Sequence, residues 1–140
     1  MARPYLKMNG LGNDFVVVEA RSAAFEPTEA EVRRIADRTA GIGCDQLVSI
    51  ERSARADARV RFWNADGGEV GACGNGARCA AWLRMKASGR GTATLEVGER
   101  VLHASRAGEQ AVTVDMGAPG LDWPDIPLEE AMDTRGIELE

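Results

Sequence analysis

Apolar and polar positions alternate along the chain in short β-branched runs, broken by two stretches with helical periodicity. FVVVE (Phe15 to Glu19) is a strand pattern, and the glycines, Asn and Asp of the preceding MNGLGND predict a shaped turn leading into it. Thr28 followed by Glu31 has capping-box spacing. With Val32, Ile35 and Ala36 on one stripe before Gly41, it predicts a short amphipathic surface helix over Thr28 to Arg38. LVSIE (Leu47 to Glu51) and ARVRFWN (Ala58 to Asn64) are strand patterns, the second alternating Val60 and Phe62 with Arg59 and Arg61. From about Asn75 to Ser88 small and apolar residues cover nearly the whole circumference of a helix that Gly89 would stop, which predicts a central helix surrounded by protein. TATLEV, RVLHAS and AVTVDM, joined at Gly98-Glu99 and Gly108-Glu109, complete a meander. The expected fold is α+β, a strongly curved, mainly antiparallel sheet wrapped around one central buried helix. It would occupy residues 1–117. Pro119, Pro124 and Pro127 make residues 118–140 an irregular connection, and Gly136 to Glu140 begins a strand-like alternation that then breaks off.

Composition narrows the function. With 140 residues, 44% of them hydrophobic, the chain can build one core but not two. A formal net charge of −5 without any local Lys/Arg cluster argues against nucleic acid as a partner. No long apolar run and no signal-peptide pattern occur, so no membrane role and a cytoplasmic location are expected. Cys44, Cys73 and Cys79 are an odd set without CxxC spacing and read as reduced thiols, and His103, the single histidine, leaves zinc without a ligand set.

The densest stretch is GACGNGARC, Gly71 to Cys79. A strand, a loop and then a buried helix place Cys73 at or just before a helix amino terminus. There, free N–H groups and the helix dipole favour an anion, making Cys73 a candidate thiolate nucleophile or base. Gly71, Gly74 and Gly76 leave backbone N–H groups unshielded, which suits a small carboxylate substrate. A phosphatase-type loop would need five residues between cysteine and arginine, whereas Cys73 and Arg78 have four between them. Gly76 is followed by Ala77-Arg78-Cys79 instead of a Lys-Ser/Thr pair, which excludes a P-loop. A cysteine hydrolase would need His103 as a partner, and nothing in the sequence brings it to Cys73. Asp66 and Glu69 could pass for an acid/base pair but are more economically solvent-facing turn residues.

KMNGLGNDFVVVE, GIGCDQLV and FWNADGGEVGACGNGARC resemble the amino-terminal half of the diaminopimelate epimerases, cofactor-independent enzymes of bacterial lysine and cell-wall biosynthesis. The resemblance runs from Lys7 past Met132. It implies epimerisation of LL- and meso-2,6-diaminopimelate by two cysteines on opposite faces of the reacting carbon, with Cys73 matching one of them. Gly74 and Asn75 match positions that hold the α-carboxylate at the helix terminus, and Asn13, Gln46 and Asn64 match substrate-contacting positions. No cofactor is implied, in keeping with the presence of only two lysines, Lys7 and Lys86, and no pyridoxal-type site.

The partner cysteine and the opposite wall of the cleft belong to a carboxy-terminal half that this sequence lacks. Cys79, six residues along the same helix, points elsewhere than Cys73 and cannot be that partner. The chain is therefore expected to be half of a two-domain enzyme, inactive by itself, with its missing carboxy-terminal domain as principal partner and a homodimer left open. Two alternatives stand beside this: an epimerase-fold isomerase of another small acid, and a non-catalytic binding or assembly module. Without the motif, Cys73 would be a small turn residue, Asn13 and Asn64 turn formers, Gln46 unremarkable, Cys44 a loop residue, Cys79 and Arg78 structural, and His103 a strand surface residue.

Overall fold

The computed structural model describes residues 2–137. Eight strands, β1 (Tyr5–Gly10), β2 (Asn13–Glu19), β3 (Gln46–Glu51), β4 (Ala58–Asn64), β5 (Glu69–Val70), β6 (Thr92–Val97), β7 (Arg100–Arg106) and β8 (Val112–Asp115), form one sheet. Its order is β1-β2-β3-β4-β6-β7-β8, with the two-residue β5 on β4. Five pairings are antiparallel, while β2 with β3 and β4 with β6 are parallel. Helix α2 (Gly74–Ser88) packs against β1, β2, β4, β6, β7 and β8, including both edges, which is possible only because the sheet curls around it.

Strand alternation divides the apolar residues between two cores. On the concave face Phe15, Val17, Val48, Ile50, Val60, Phe62, Leu95 and Leu102 pack around Ala77, Ala80, Ala81 and Met85 of α2. On the convex face Val16, Val18, Leu47 and Trp63 meet Val32 and Ala36 of helix α1 (Glu29–Ala36). The expected capping box is present in both directions: Glu31 N–H donates to Thr28 Oγ1 at 3.3 Å and Thr28 N–H donates to Glu31 Oε2 at 2.8 Å.

Four expectations are corrected. MNGLGND is not only a turn: Met8 to Gly10 belong to β1 and Asn13 and Asp14 to β2, and the turn itself is Leu11-Gly12, both at positive φ (51° and 93°), closing a two-residue hairpin. Helix α1 stops at Ala36 instead of reaching Arg38, because Asp37 leaves helical geometry and its side chain accepts from the N–H groups of Thr39 and Ala40. The loop after β4 contains β5. Helix α2 is not enclosed all round: Trp82 and Leu83 are half-buried and Lys86 and Ala87 exposed, since the β1 and β8 edges do not meet over that flank. Beyond β8 the regular structure is a 3-10 turn at Trp123–Asp125. The alternation expected from Gly136 to Glu140 runs out of the described residues.

Candidate functional site

β2 and β3 run parallel and β4 antiparallel to them, so the starts of β2 and β3 and the end of β4 share one end of the sheet. Asn13, Gln46 and Asn64 sit there. Each lies two residues from a concave-face core residue, Phe15, Val48 or Phe62, so alternation turns all three amides to the concave side, where α2 begins. Gln46 and Asn64 are register partners, and Gln46 Nε2 donates to Asn64 Oδ1 at 2.8 Å. Asn64 is also a turn residue through its backbone, exchanging hydrogen bonds with Gly67 and Gly68.

Cys73 is the N-cap of α2, with extended φ/ψ of −152°/106° and its Sγ accepting the Gly76 N–H at 3.3 Å. The thiol is half-buried. The Gly74 and Asn75 N–H groups lie in the first turn, where no intrahelical carbonyl is available to them, and nothing stands within 4 Å of where a Gly74 Cβ would be. An anion can therefore approach the helix terminus closely. Gly76 serves packing instead: a Cβ there would stand 2.6 Å from the Phe62 ring. Gly10 lets β1 pass beside the same terminus, its missing Cβ falling 3.2 Å from Asn75 O.

Asn75 is joined across the chain to Asn13, donating from Nδ2 to Asn13 Oδ1, and receives a hydrogen bond on Oδ1 from Arg78. Thus Cys73, Gly74, Asn75 and Asn13 form one group and Gln46 with Asn64 a second, both at the same end of the concave face. Beside them lies a charged cluster the sequence did not reveal. Arg38 pairs with Asp14 (2.7 Å) and Asp45 (2.8 Å), Lys7 pairs with Asp14 (2.9 Å), and the backbone N–H of Asp14 and of Asp45 each donates to the other's carboxylate. The Arg38 and Lys7 hydrogen bonds hold the Asp14 carboxyl well below the usual carboxylate range. These partners are up to 36 residues apart when the Lys7 bond to the Gly43 carbonyl is included, so no local pattern could have announced them.

The remaining candidates separate cleanly. Cys79 is buried against the core, and burial, reinforced by the neighbouring Cys73, pushes its thiol up to about 11. Cys44 is buried on the convex side under α1, and burial raises its thiol too. His103 is exposed on β7. Asp66 caps its own turn through Gly68 N–H at 2.8 Å and Glu69 pairs with Arg61 at 2.8 Å, so both carboxylates have structural partners. Among the described residues no helix is long and apolar enough to cross a membrane. The assembled site is one wall: a half-buried thiol at a helix terminus, open N–H groups and four neutral amides. Such a wall can bind an anionic group and exchange a proton at sulfur.

A family model described as diaminopimelate epimerase matches residues 5–121. The chain is 63% identical over 139 residues to the diaminopimelate epimerase of Phenylobacterium zucineum, covering 99% of this chain and 50% of that protein. It is 52% identical over 148 residues to that of Caulobacter sp. strain K31, covering 100% of this chain and 51% of that one. The chain thus spans about half the length of these curated relatives. Among solved structures, a PhzF-family phenazine biosynthesis protein of Enterococcus faecalis superposes with a TM-score of 0.61 at 16% identity, over 78% of this chain and 42% of that one. A methylitaconate-delta-isomerase gives 0.58 at 16%, over 80% and 62%. At that identity these two speak for the fold alone.

Proposed function

The chain belongs to the diaminopimelate epimerase family, and from that premise we propose that it supplies the amino-terminal half of a cofactor-independent epimerase acting on LL- and meso-2,6-diaminopimelate. Residues 1–117 are the folded half-site and residues 118–140 the connection towards a carboxy-terminal domain. The observation that carries the reading is Cys73 as N-cap of α2, beside the open Gly74 and Asn75 N–H groups.

Cys73, as thiolate, takes the α-proton. The electron pair left on carbon spreads into the α-carboxylate, whose growing charge meets the Gly74 and Asn75 N–H groups at the positive end of the helix. A thiol of the other domain delivers a proton to the opposite face, so configuration inverts, and the two sulfurs have exchanged roles for the return reaction. Asn13, Gln46 and Asn64 bind the remainder of a zwitterion through neutral amides, which adds no net charge to the cleft. Closure of a second wall would exclude water, under which a thiolate is more effective against a weakly acidic carbon. One wall alone provides one proton-transfer group, so the isolated chain is expected not to turn over.

The test is α-proton exchange of LL- and meso-diaminopimelate in deuterated buffer, comparing this chain, its Cys73→Ala variant, and each mixed with the carboxy-terminal half of a full-length relative. Exchange and epimerisation are expected only in the mixture and are lost with Cys73→Ala. A mixture that exchanges another small amino or hydroxy acid but not diaminopimelate would redirect the reading to a related isomerase. The assembly-module alternative draws on a groove of about 710 Å³ along the open flank of α2, lined by residues including Leu6, Met8, Trp82, Leu83 and Val112. It expects the halves to associate without any exchange.

A further inference from the structure

Four side chains from three separate stretches of the chain form one directed series of hydrogen bonds across the mouth of the site. The Arg78 guanidinium donates to Asn75 Oδ1, Asn75 Nδ2 donates to Asn13 Oδ1, and Asn13 Nδ2 donates to Asp45 Oδ2 at 3.4 Å. Its two ends are chemically one-way, because a guanidinium only donates and an ionised carboxylate only accepts. The two amides between them could each sit either way round. With those ends in place, a single orientation of both satisfies all three bonds, and turning either one sets donor against donor or acceptor against acceptor.

Asp45 is itself anchored. Its Oδ1 accepts from Arg38 at 2.8 Å, its Oδ2 also accepts the Asp14 N–H at 3.0 Å, and its own N–H donates to Asp14 Oδ1 at 2.9 Å. An asparagine at position 45 could not reproduce this, since its amide nitrogen would face donors whichever way it turned. Each amide in the series spends one N–H and one lone pair, leaving one of each for a ligand.

We propose that Arg78 and Asp45 are positioning residues that fix the Asn75 and Asn13 amides in the orientation from which they meet the substrate. That the Asn13 amide meets an amino-acid zwitterion rests on the epimerase reading above, which gives Asn75 only its backbone N–H; that the Asn75 side chain joins it follows from its place in the series beside the helix terminus. Arg78 then acts through Asn75, on whose Oδ1 it spends a guanidinium N–H.

The side-chain amide signals of Asn13 and Asn75, observed by ¹⁵N–¹H NMR on this chain, test the series independently of any activity. Arg78→Met should shift both pairs of signals, although it touches only Asn75 directly, and Arg78→Lys, which can still donate, should return both towards the wild-type positions. Asp45→Asn should shift the same two pairs from the other end. Backbone amide signals report whether each variant is folded. If Arg78→Met moves Asn75 and leaves Asn13 in place, no series runs through the two amides and the proposal is overturned.

In the reconstituted enzyme Arg78→Met should raise KM for diaminopimelate about tenfold, the equivalent of one lost hydrogen bond, with kcat nearly unchanged and KM recovered in Arg78→Lys. Coupled NMR shifts without any change in KM would overturn the positioning role. A wild-type mixture without exchange would instead sink the epimerase reading, and the NMR comparison would then decide by itself whether the orientation is set from Arg78 and Asp45.

Discussion

Three cysteines of identical chemistry are given different properties by what surrounds them. Cys73 caps a helix and keeps part of its surface open, whereas Cys79 and Cys44 are 5% and 2% exposed. With its thiol pushed up to about 11, Cys79 would be ionised to about one part in a thousand at pH 8. Brief alkylation at pH 8 should therefore label Cys73 well before the other two, read by peptide mapping. Equal labelling of Cys79 would mean that α2 opens far enough to expose it and that burial does not set the two thiols apart. The sequence made this residue-scale distinction legible, because the glycine-rich loop before a helix pattern identifies a cap from local information. It said nothing of Asp14, Arg38 and Asp45, whose importance lies wholly in one another.

At the scale of elements, the β1–β2 hairpin turns on a strained residue. Leu11 holds φ 51° at the first position of a two-residue turn, a region that costs a non-glycine residue about 1 kcal/mol, and its side chain is 86% exposed, so it gains little by burial in return. Leu11→Asn, giving the favoured Asn-Gly pair, should stabilise the chain by about 0.5–1 kcal/mol, seen as a higher urea midpoint with an unchanged slope. An unchanged or lower midpoint would show that Leu11 makes a compensating contact. Helix α1 was readable because its capping box spans only Thr28 to Glu31. Strand β1 was not, because its residues are mostly exposed on a sheet edge and carry no buried alternation to betray them.

For the whole molecule, the charged cluster ties together β1, β2, the residue before β3 and the segment after α1, elements that meet only in the folded chain. The Asp14 carboxyl titrates lower when folded than when unfolded, where it would lie near the ordinary value of about 3.9. Its contribution to stability is therefore fully present above that unfolded value and is lost as the pH falls below it towards the folded one. Arg38→Gln should lower the urea midpoint at pH 7 and flatten its fall between pH 5 and pH 3. Parallel pH profiles for the variant and wild type would assign the acid sensitivity elsewhere. The same variant loosens Asp45, so its effect on the Asn13 amide signals should follow that of Asp45→Asn.

The sequence alone determined the identity of most strands, both helices, the cap of each helix and the candidate thiol, because these follow from periodicities and spacings within a few residues. It also placed Cys73, Gly74 and Asn75 on one helix terminus, as neighbours in the chain. Tertiary structure alone decided that Asn13 bonds to Asn75, that Gln46 faces Asn64, that Asp45 closes the series from Arg78, and that one flank of α2 stays open. Those relations join residues 18 to 62 positions apart and arise from strand register and sheet curl. Register depends on which faces are buried together, and curl on a helix that must touch both edges of one sheet. Neither quantity exists until the chain has closed on itself.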